Sequence, residues 1–184
     1  MEVAAIQRIR EVIPDAHSAA MVPSALPTML LLSSAAAMRV TTPRASIRMG
    51  LSSGAQFPQD ALDKFGVAGK KAVLFFYGAD DAPSCSKQIK SFGESLPKFE
   101  AAGVEVVGIR NEAGVKGGDS PVKLVVDDGD KVRKQIDIKA DMFGMIGGRE
   151  TYVVDEAGKI AMVHNAQLDT DSHINNALDA IKGL

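Results

Sequence analysis

The apolar run from Lys71 to Phe76 leads directly into Tyr77-Gly78-Ala79-Asp80-Asp81-Ala82-Pro83-Ser84-Cys85-Ser86-Lys87-Gln88, which holds the only cysteine of the 184-residue sequence. A buried strand that ends in a turn and then opens a helix on a cysteine constrains both fold and chemistry. The helix N-terminus offers unpaired N–H groups and a positive partial charge, and both favour sulfur in its anionic form. Cys85 is therefore a candidate nucleophile. The competing reading of a lone cysteine, a small buried hydrophobe, is less compatible with this placement.

Length and composition restrict the rest. With 46% hydrophobic residues and a formal charge of -2, the chain makes one soluble domain plus an appendage, large enough to bury a core. That balance carries no basic footprint for nucleic acid. One cysteine excludes an internal disulfide and a cysteine-based metal cluster, and His17, His164 and His173 argue against a histidine metal site. Cys85 has to act without a second thiol from its own chain.

From Ala16 to Gln59 there is no acidic residue, while Arg39, Arg44 and Arg48 sit among Ser, Thr, Ala and Pro, the composition of an organelle transit peptide. Leu26 to Ala37 reads as a short apolar core followed by small residues, as in a secretory signal, and is too short and Pro-broken to span a bilayer. Signal first and basic segment second is the bipartite leader of plastids acquired by secondary endosymbiosis. A plain plastid or mitochondrial transit peptide, or a disordered tail, are the alternatives. Residues 1–48 are thus expected to be a disordered targeting leader and 49–184 the mature domain. Glu2, Glu11 and Asp15 do not suit a signal, which makes Met21 the start that such a leader would require.

The remainder predicts alternating strands and helices. Lys71 to Tyr77 is a central strand, rich in aromatic and branched residues. A helix follows from about Ser84, with Ile89, Phe92, Leu96 and Phe99 as its core face, to be kinked or restarted at Pro97 and ended at Gly103. Val104–Ile109 and Lys123–Asp127 are further strands, and a short helix over Asp130 to Ile136 precedes the loop Met142 to Gly148. Glu150–Asp155 and Lys159–His164 form a hairpin about Glu156-Ala157-Gly158. Ser172 is the expected N-cap of a last helix with the stripe Ile174, Leu178 and Ile181. A parallel β-α-β start with a closing hairpin and terminal helix is α/β of the thioredoxin-like kind, a central mixed sheet flanked by helices.

The matching pieces are Phe75-Phe76-Tyr77, Pro83-Ser84-Cys85-Ser86-Lys87-Gln88, Val106-Val107-Gly108-Ile109, Lys131-Val132-Arg133-Lys134, Met142-Phe143-Gly144, Gly148-Arg149-Glu150-Thr151-Tyr152-Val153-Val154-Asp155 and Ser172-His173-Ile174. With these in order, Lys70 to Leu184 resembles a peroxiredoxin of the Q (bacterioferritin-comigratory) group, most like the plastid members. The resemblance implies thiol peroxidase chemistry: Cys85 as the peroxidatic residue, Arg149 as its electrostatic partner, and peroxide contacts from the loop at Gly78, Ala82, Pro83 and Ser84. It implies hydrogen peroxide or an organic hydroperoxide as substrate and no metal, flavin or haem.

This chain departs from the family pattern beside the cysteine. The family's loop has proline seven residues before it and threonine or serine three before, where this chain has Gly78 and Ala82. Loss of a donor to the reacting oxygens costs about 100- to 1000-fold in rate. Members often carry a resolving cysteine five residues on, and that position is Lys90, so resolution falls to an external thiol: thioredoxin, glutaredoxin, glutathione or a partner protein. Lys87 and Lys90 would add positive charge near the helix start if they face the thiol. The segment Asn111 to Ser120 is short and Gly-rich for the crossover helix the family places there, which would leave part of one sheet face bare. Two other functions follow from that: a weakened thioredoxin-fold subunit docking on a plastid complex, and a redox sensor forming a mixed disulfide through Cys85. Asp80-Asp81, Asp127-Asp128, His164 and His173 read as turn, structural or surface residues.

Overall fold

The computed structural model describes residues 50–112, 119–140 and 147–184. The leader expected over residues 1–48, most of the Gly-rich crossover segment and Met142 to Ile146 of the expected loop lie outside them.

Helix α1 (Gln59–Phe65) comes first, then β1 (Ala72–Tyr77), α2 (Pro83–Ala101), β2 (Glu105–Asn111), β3 (Lys123–Asp127), α3 (Lys131–Gln135), β4 (Glu150–Val154), β5 (Ile160–Asn165) and α4 (Thr170–Ala180). They form one five-stranded sheet in the order β3-β2-β1-β4-β5. β1 is parallel to β2 and β2 to β3, whereas β4 is antiparallel to both β1 and β5. The sheet is the mixed one expected.

Every residue of β1 is buried, as a strand covered on both faces must be. Alternation divides it between two cores. Val73, Phe75 and Tyr77 join Phe92 and Phe99 of α2 with Ile174 and Ala177 of α4. Ala72, Leu74 and Phe76 join Leu62 and Phe65 of α1 with Val132 and Ile136 around α3. Phe75 stacks on Phe92 with centroids 4.2 Å apart, a contact that demands the glycine opposite it in β2. A Cβ on Gly108 would sit 2.6 Å from Phe75 Cζ and 2.7 Å from Leu124 Cδ2.

Two expectations change, and one element is added. Ahead of β1, where the sequence predicts no element, α1 buries Ala61, Leu62 and Phe65 and closes on Gly66 at φ +70, with the Val67 N–H bonding the Leu62 carbonyl at 3.0 Å. α1 therefore helps cover the face opposite α2, and among the described residues Leu168 is the one large apolar side chain left exposed. Helix α2 runs through Pro97 without restarting, because Phe92 and Phe99 on either side pack into the same core and outweigh one lost bond. Helix α4 is capped by Asp169, which accepts the Ser172 N–H at 3.1 Å, so the helix begins before Ser172.

Candidate active site

Cys85 occupies the third position of α2, after Ala82 at the N-cap and Pro83 at the first helical position, where a missing N–H costs nothing. Ala82 has no side-chain oxygen, so the first turn closes on its carbonyl, which accepts the Cys85 and Ser86 N–H groups, each at 2.9 Å. Pro83 and Ser84 are exposed, Gly78 and Ala82 half-buried, and Cys85 only 4% exposed. The sulfur thus lies just beneath an accessible rim.

Arg149 immediately precedes β4. Because β4 is antiparallel to β1, its first residues lie where β1 ends, beside the loop that leads to Cys85. Arg149 is 2% exposed, and its Nη2 donates to Cys85 Sγ at 3.3 Å and to Ser84 Oγ at 3.0 Å. Its Nε and Nη1 are buried and have no hydrogen-bond partner among the described residues. A buried guanidinium with unmatched donors beside a thiol can hold an anionic sulfur and a developing negative oxygen together.

Lys87 and Lys90 do not take part. Lys87 pairs with Asp171 at 2.7 Å and Lys90 lies 3.9 Å from Glu94, both well exposed on the outer side of α2.

Several residues of the site carry no assigned role in the sequence reading. Gln88, one turn after Cys85, is fully buried with neither amide atom partnered among the described residues. Arg133 stands in a basic run that looks solvent-facing, yet is 5% exposed. It donates to the carbonyls of Gly148 at 2.8 Å and Ile109 at 2.9 Å and to that of Tyr77, while its own N–H bonds Asp127 at 2.9 Å. It thereby ties the end of β1 to the residue before Arg149. Burial pulls its pKa below the ordinary guanidinium value, opposed by the carboxylates of Asp130 and Asp127.

His173 of α4 is also buried, with Nδ1 2.8 Å from Thr151 Oγ1 on β4 and Nε2 2.8 Å from the Ala166 carbonyl. The His164 ring meets it edge-on at 4.7 Å. Among the described residues no three His, Cys, Asp or Glu side chains group as a metal site, and no helix is long and apolar enough to cross a membrane.

A parallel β-α-β start, an antiparallel hairpin and a terminal helix, with a thiol at the start of the first crossover helix, define a thioredoxin-like protein. Residues 54–163 match the AhpC/TSA family, and the chain belongs to it. It is similar to chloroplastic peroxiredoxin Q of Sedum lineare, 40% identical over 130 residues that cover 67% of this chain and 69% of that one. It is likewise similar to chloroplastic peroxiredoxin Q of Populus jackii, at 39% identity, where the match covers 67% of this chain and 60% of the relative. In fold it is similar to the bacterioferritin comigratory protein of Xanthomonas campestris, with a TM-score of 0.56, 22% identity and coverage of 72% of this chain and 97% of that one. Xylella fastidiosa PrxQ gives a TM-score of 0.58, 20% identity and coverage of 73% and 98%.

Proposed function

We propose that the protein is a thiol-dependent peroxidase in which Cys85 is the peroxidatic residue and Arg149 its electrostatic partner. The observation that carries this reading is the 3.3 Å contact from the buried Arg149 guanidinium to Sγ, with two further guanidinium nitrogens unpartnered. The thiolate sulfur attacks one oxygen of a hydroperoxide, the O–O bond breaks, and the departing oxygen leaves as water or alcohol after taking a proton, with Cys85 left as sulfenic acid. Guanidinium N–H groups stabilise the charge that gathers on the oxygens, and the exposed Pro83 and Ser84 with the half-buried Gly78 and Ala82 form the approach for the peroxide.

An external thiol then attacks the sulfenate sulfur with loss of water, giving a mixed disulfide. A second thiol attacks that disulfide, restoring Cys85 and leaving the reductant as its disulfide. Thioredoxin, glutaredoxin or glutathione has this chemistry. The chloroplastic relatives and the acid-free stretch from Ala16 to Gln59 support residues 1–48 as a plastid-targeting segment, of the two-part kind used by secondary plastids, ahead of a mature domain over 49–184.

The test is peroxide consumption by the full chain with thioredoxin or glutathione supplied, against Cys85→Ser. Consumption that depends on Cys85 is expected, and equal rates in the two proteins would overturn the reading. Ala82, with no hydroxyl to offer the peroxide, favours two alternatives: a weakened subunit and a redox sensor. Such a protein would form mixed disulfides through Cys85, or dock on a plastid complex, without turnover.

A further inference from the structure

Asp80 lies in the middle of the loop between β1 and α2, and the sequence reading gives it only a turn role. Its carboxylate receives two donors from different strands. Tyr77, the last residue of β1, donates its hydroxyl to Oδ1 at 2.6 Å, and Arg110 on β2 reaches Oδ2 through Nη1. The Asp80 carbonyl accepts the hydroxyl of Ser86, in the first turn of α2. The two charged side chains are 14% and 16% exposed, so solvent and salt screen the pair only weakly.

The loop's own backbone and the start of the helix add little to that hold. Its backbone closes through the Ala82 N–H on the Ala79 carbonyl at 3.2 Å, Gly78 has open space where a side chain would be, and α2 starts on an alanine with no side-chain cap. An uncapped start costs a helix about 1 kcal/mol. The Asp80 node supplies what the cap does not: it fastens the loop to β1 and β2 through the carboxylate and to α2 through the carbonyl.

The geometry points to Asp80 and Arg110 as positioning residues for Cys85, a clamp that keeps the first turn of α2 closed over the sulfur. Closed, it holds Sγ against Arg149. With Sγ in a residue only 4% exposed, however, a macromolecular thiol reaches the sulfur only when that turn opens. The clamp therefore acts oppositely on two steps. It favours reaction with a small peroxide and slows reaction with a bulky thiol. Only this assignment of the two steps rests on the peroxidase reading.

The test uses the full chain and its single cysteine. Cys85 is allowed to react with N-ethylmaleimide and, separately, with a polyethylene-glycol maleimide. In each the thiolate sulfur adds across the maleimide C=C bond and the neighbouring carbon takes a proton from water, so the ratio of the two rates is independent of how much thiol is ionised. Removing a charge-assisted bond is worth about tenfold, and the bulky-to-small ratio is expected to rise by about that factor in Asp80→Asn and in Arg110→Met. The double variant should gain no more than either single one, because the two share one interaction. Arg110→Lys should restore most of the wild-type ratio, and Tyr77→Phe, which removes only a hydroxyl, should raise it by about fivefold, a test that survives if Asp80→Asn fails to fold. Ratios within about twofold of wild type in these variants, or independent gains in the double variant, overturn the clamp. Where wild type consumes peroxide, Asp80→Asn should slow that step while speeding the bulky thiol's. Where it consumes none, the peroxidase reading fails and the maleimide ratio alone decides.

Discussion

Acid should destabilise this protein through one imidazole. His173 Nε2 faces the Ala166 carbonyl, which can only accept, so Nε2 carries the proton and Nδ1 accepts from the Thr151 hydroxyl: the ring is neutral. Burial, helped by His164 of β5 and Arg149 before β4, outweighs the carbonyl and Asp169 and lowers its pKa from 6.5 to about 4. Unfolded, the ring takes a proton below about pH 6.5; folded, it resists until about pH 4. Between those limits the unfolded state holds one more proton, so stability rises with pH by about 1.4 kcal/mol per unit. Acidification across the window removes about 3 kcal/mol, a large share of the roughly 5–15 kcal/mol of an ordinary domain.

His173→Gln keeps a polar side chain and removes the titration. Urea unfolding of both proteins at several pH values isolates the effect, since carboxylates common to the two cancel in the difference. Wild type is expected to lose about 3 kcal/mol more than the variant between pH 6.5 and 4. Parallel curves would refute the argument. His173 contacts Thr151, two residues after Arg149, and the Arg149 charge is one of those acting on the ring, so a protonated His173 stands near the site's guanidinium. Activity should therefore fall in the same window in wild type and less so in the variant.

Arg149→Met, which keeps bulk and loses every donor, should slow peroxide consumption by about 100- to 1000-fold, and Arg149→Lys by less, because the charge survives without the planar fork; wild-type rates in both would leave Arg149 outside the chemistry. Ala82→Thr should raise the second-order rate with hydrogen peroxide by at least about tenfold and add about 1 kcal/mol to stability as an N-cap, whereas a folded variant with no gain in rate would mean that a hydroxyl at this N-cap does not reach the peroxide. Gly148→Ala would drive its Cβ into the Lys139 carbonyl oxygen and to 2.7 Å from Ile138 Cγ2, so a loss of about 3 kcal/mol and of activity is expected from displacement of Arg149; a variant with unchanged melting and rate would show that the segment gives way freely.

The strands were legible because each carries its own signal. Lys123–Asp127 emerges with the bounds read from its apolar run, and β1 is recognisable from its unbroken apolar, aromatic-rich run, which the structure buries throughout. Helix α1 was not legible: seven residues are too few for helical periodicity to register, and Pro58 before it offers no capping side chain. The α4 cap was misplaced because Asp169 and Ser172 are both good caps three residues apart, and only the backbone decides which one accepts. Arg133 shows the same limit in another form. A basic residue between Val132 and Lys134 reads as solvated, and nothing local reveals that three carbonyls from distant segments converge on its guanidinium.

That convergence follows from strand direction, which explains why the site lies where it does. β1, β2 and β3 run parallel and end on one side of the sheet, bringing Tyr77, Arg110 and Asp127 to that edge. β4 runs the opposite way, so its beginning, just after Arg149, arrives there too, and β5, antiparallel to β4, ends there before α4, which carries His173 in its first turn. A sheet of one direction throughout would deliver only strand ends and the loops after them. The reversal at β4 is what lets a residue preceding a strand reach a thiol following one. The order of strands in the chain predicts this shared edge. The pairing of Asp80 with Arg110, 30 residues away, comes only from two parallel neighbours ending in register, Tyr77 opposite Arg110. Fixing the loop to both strands at that register point is what makes the position of Cys85 a property of the sheet rather than of the loop alone.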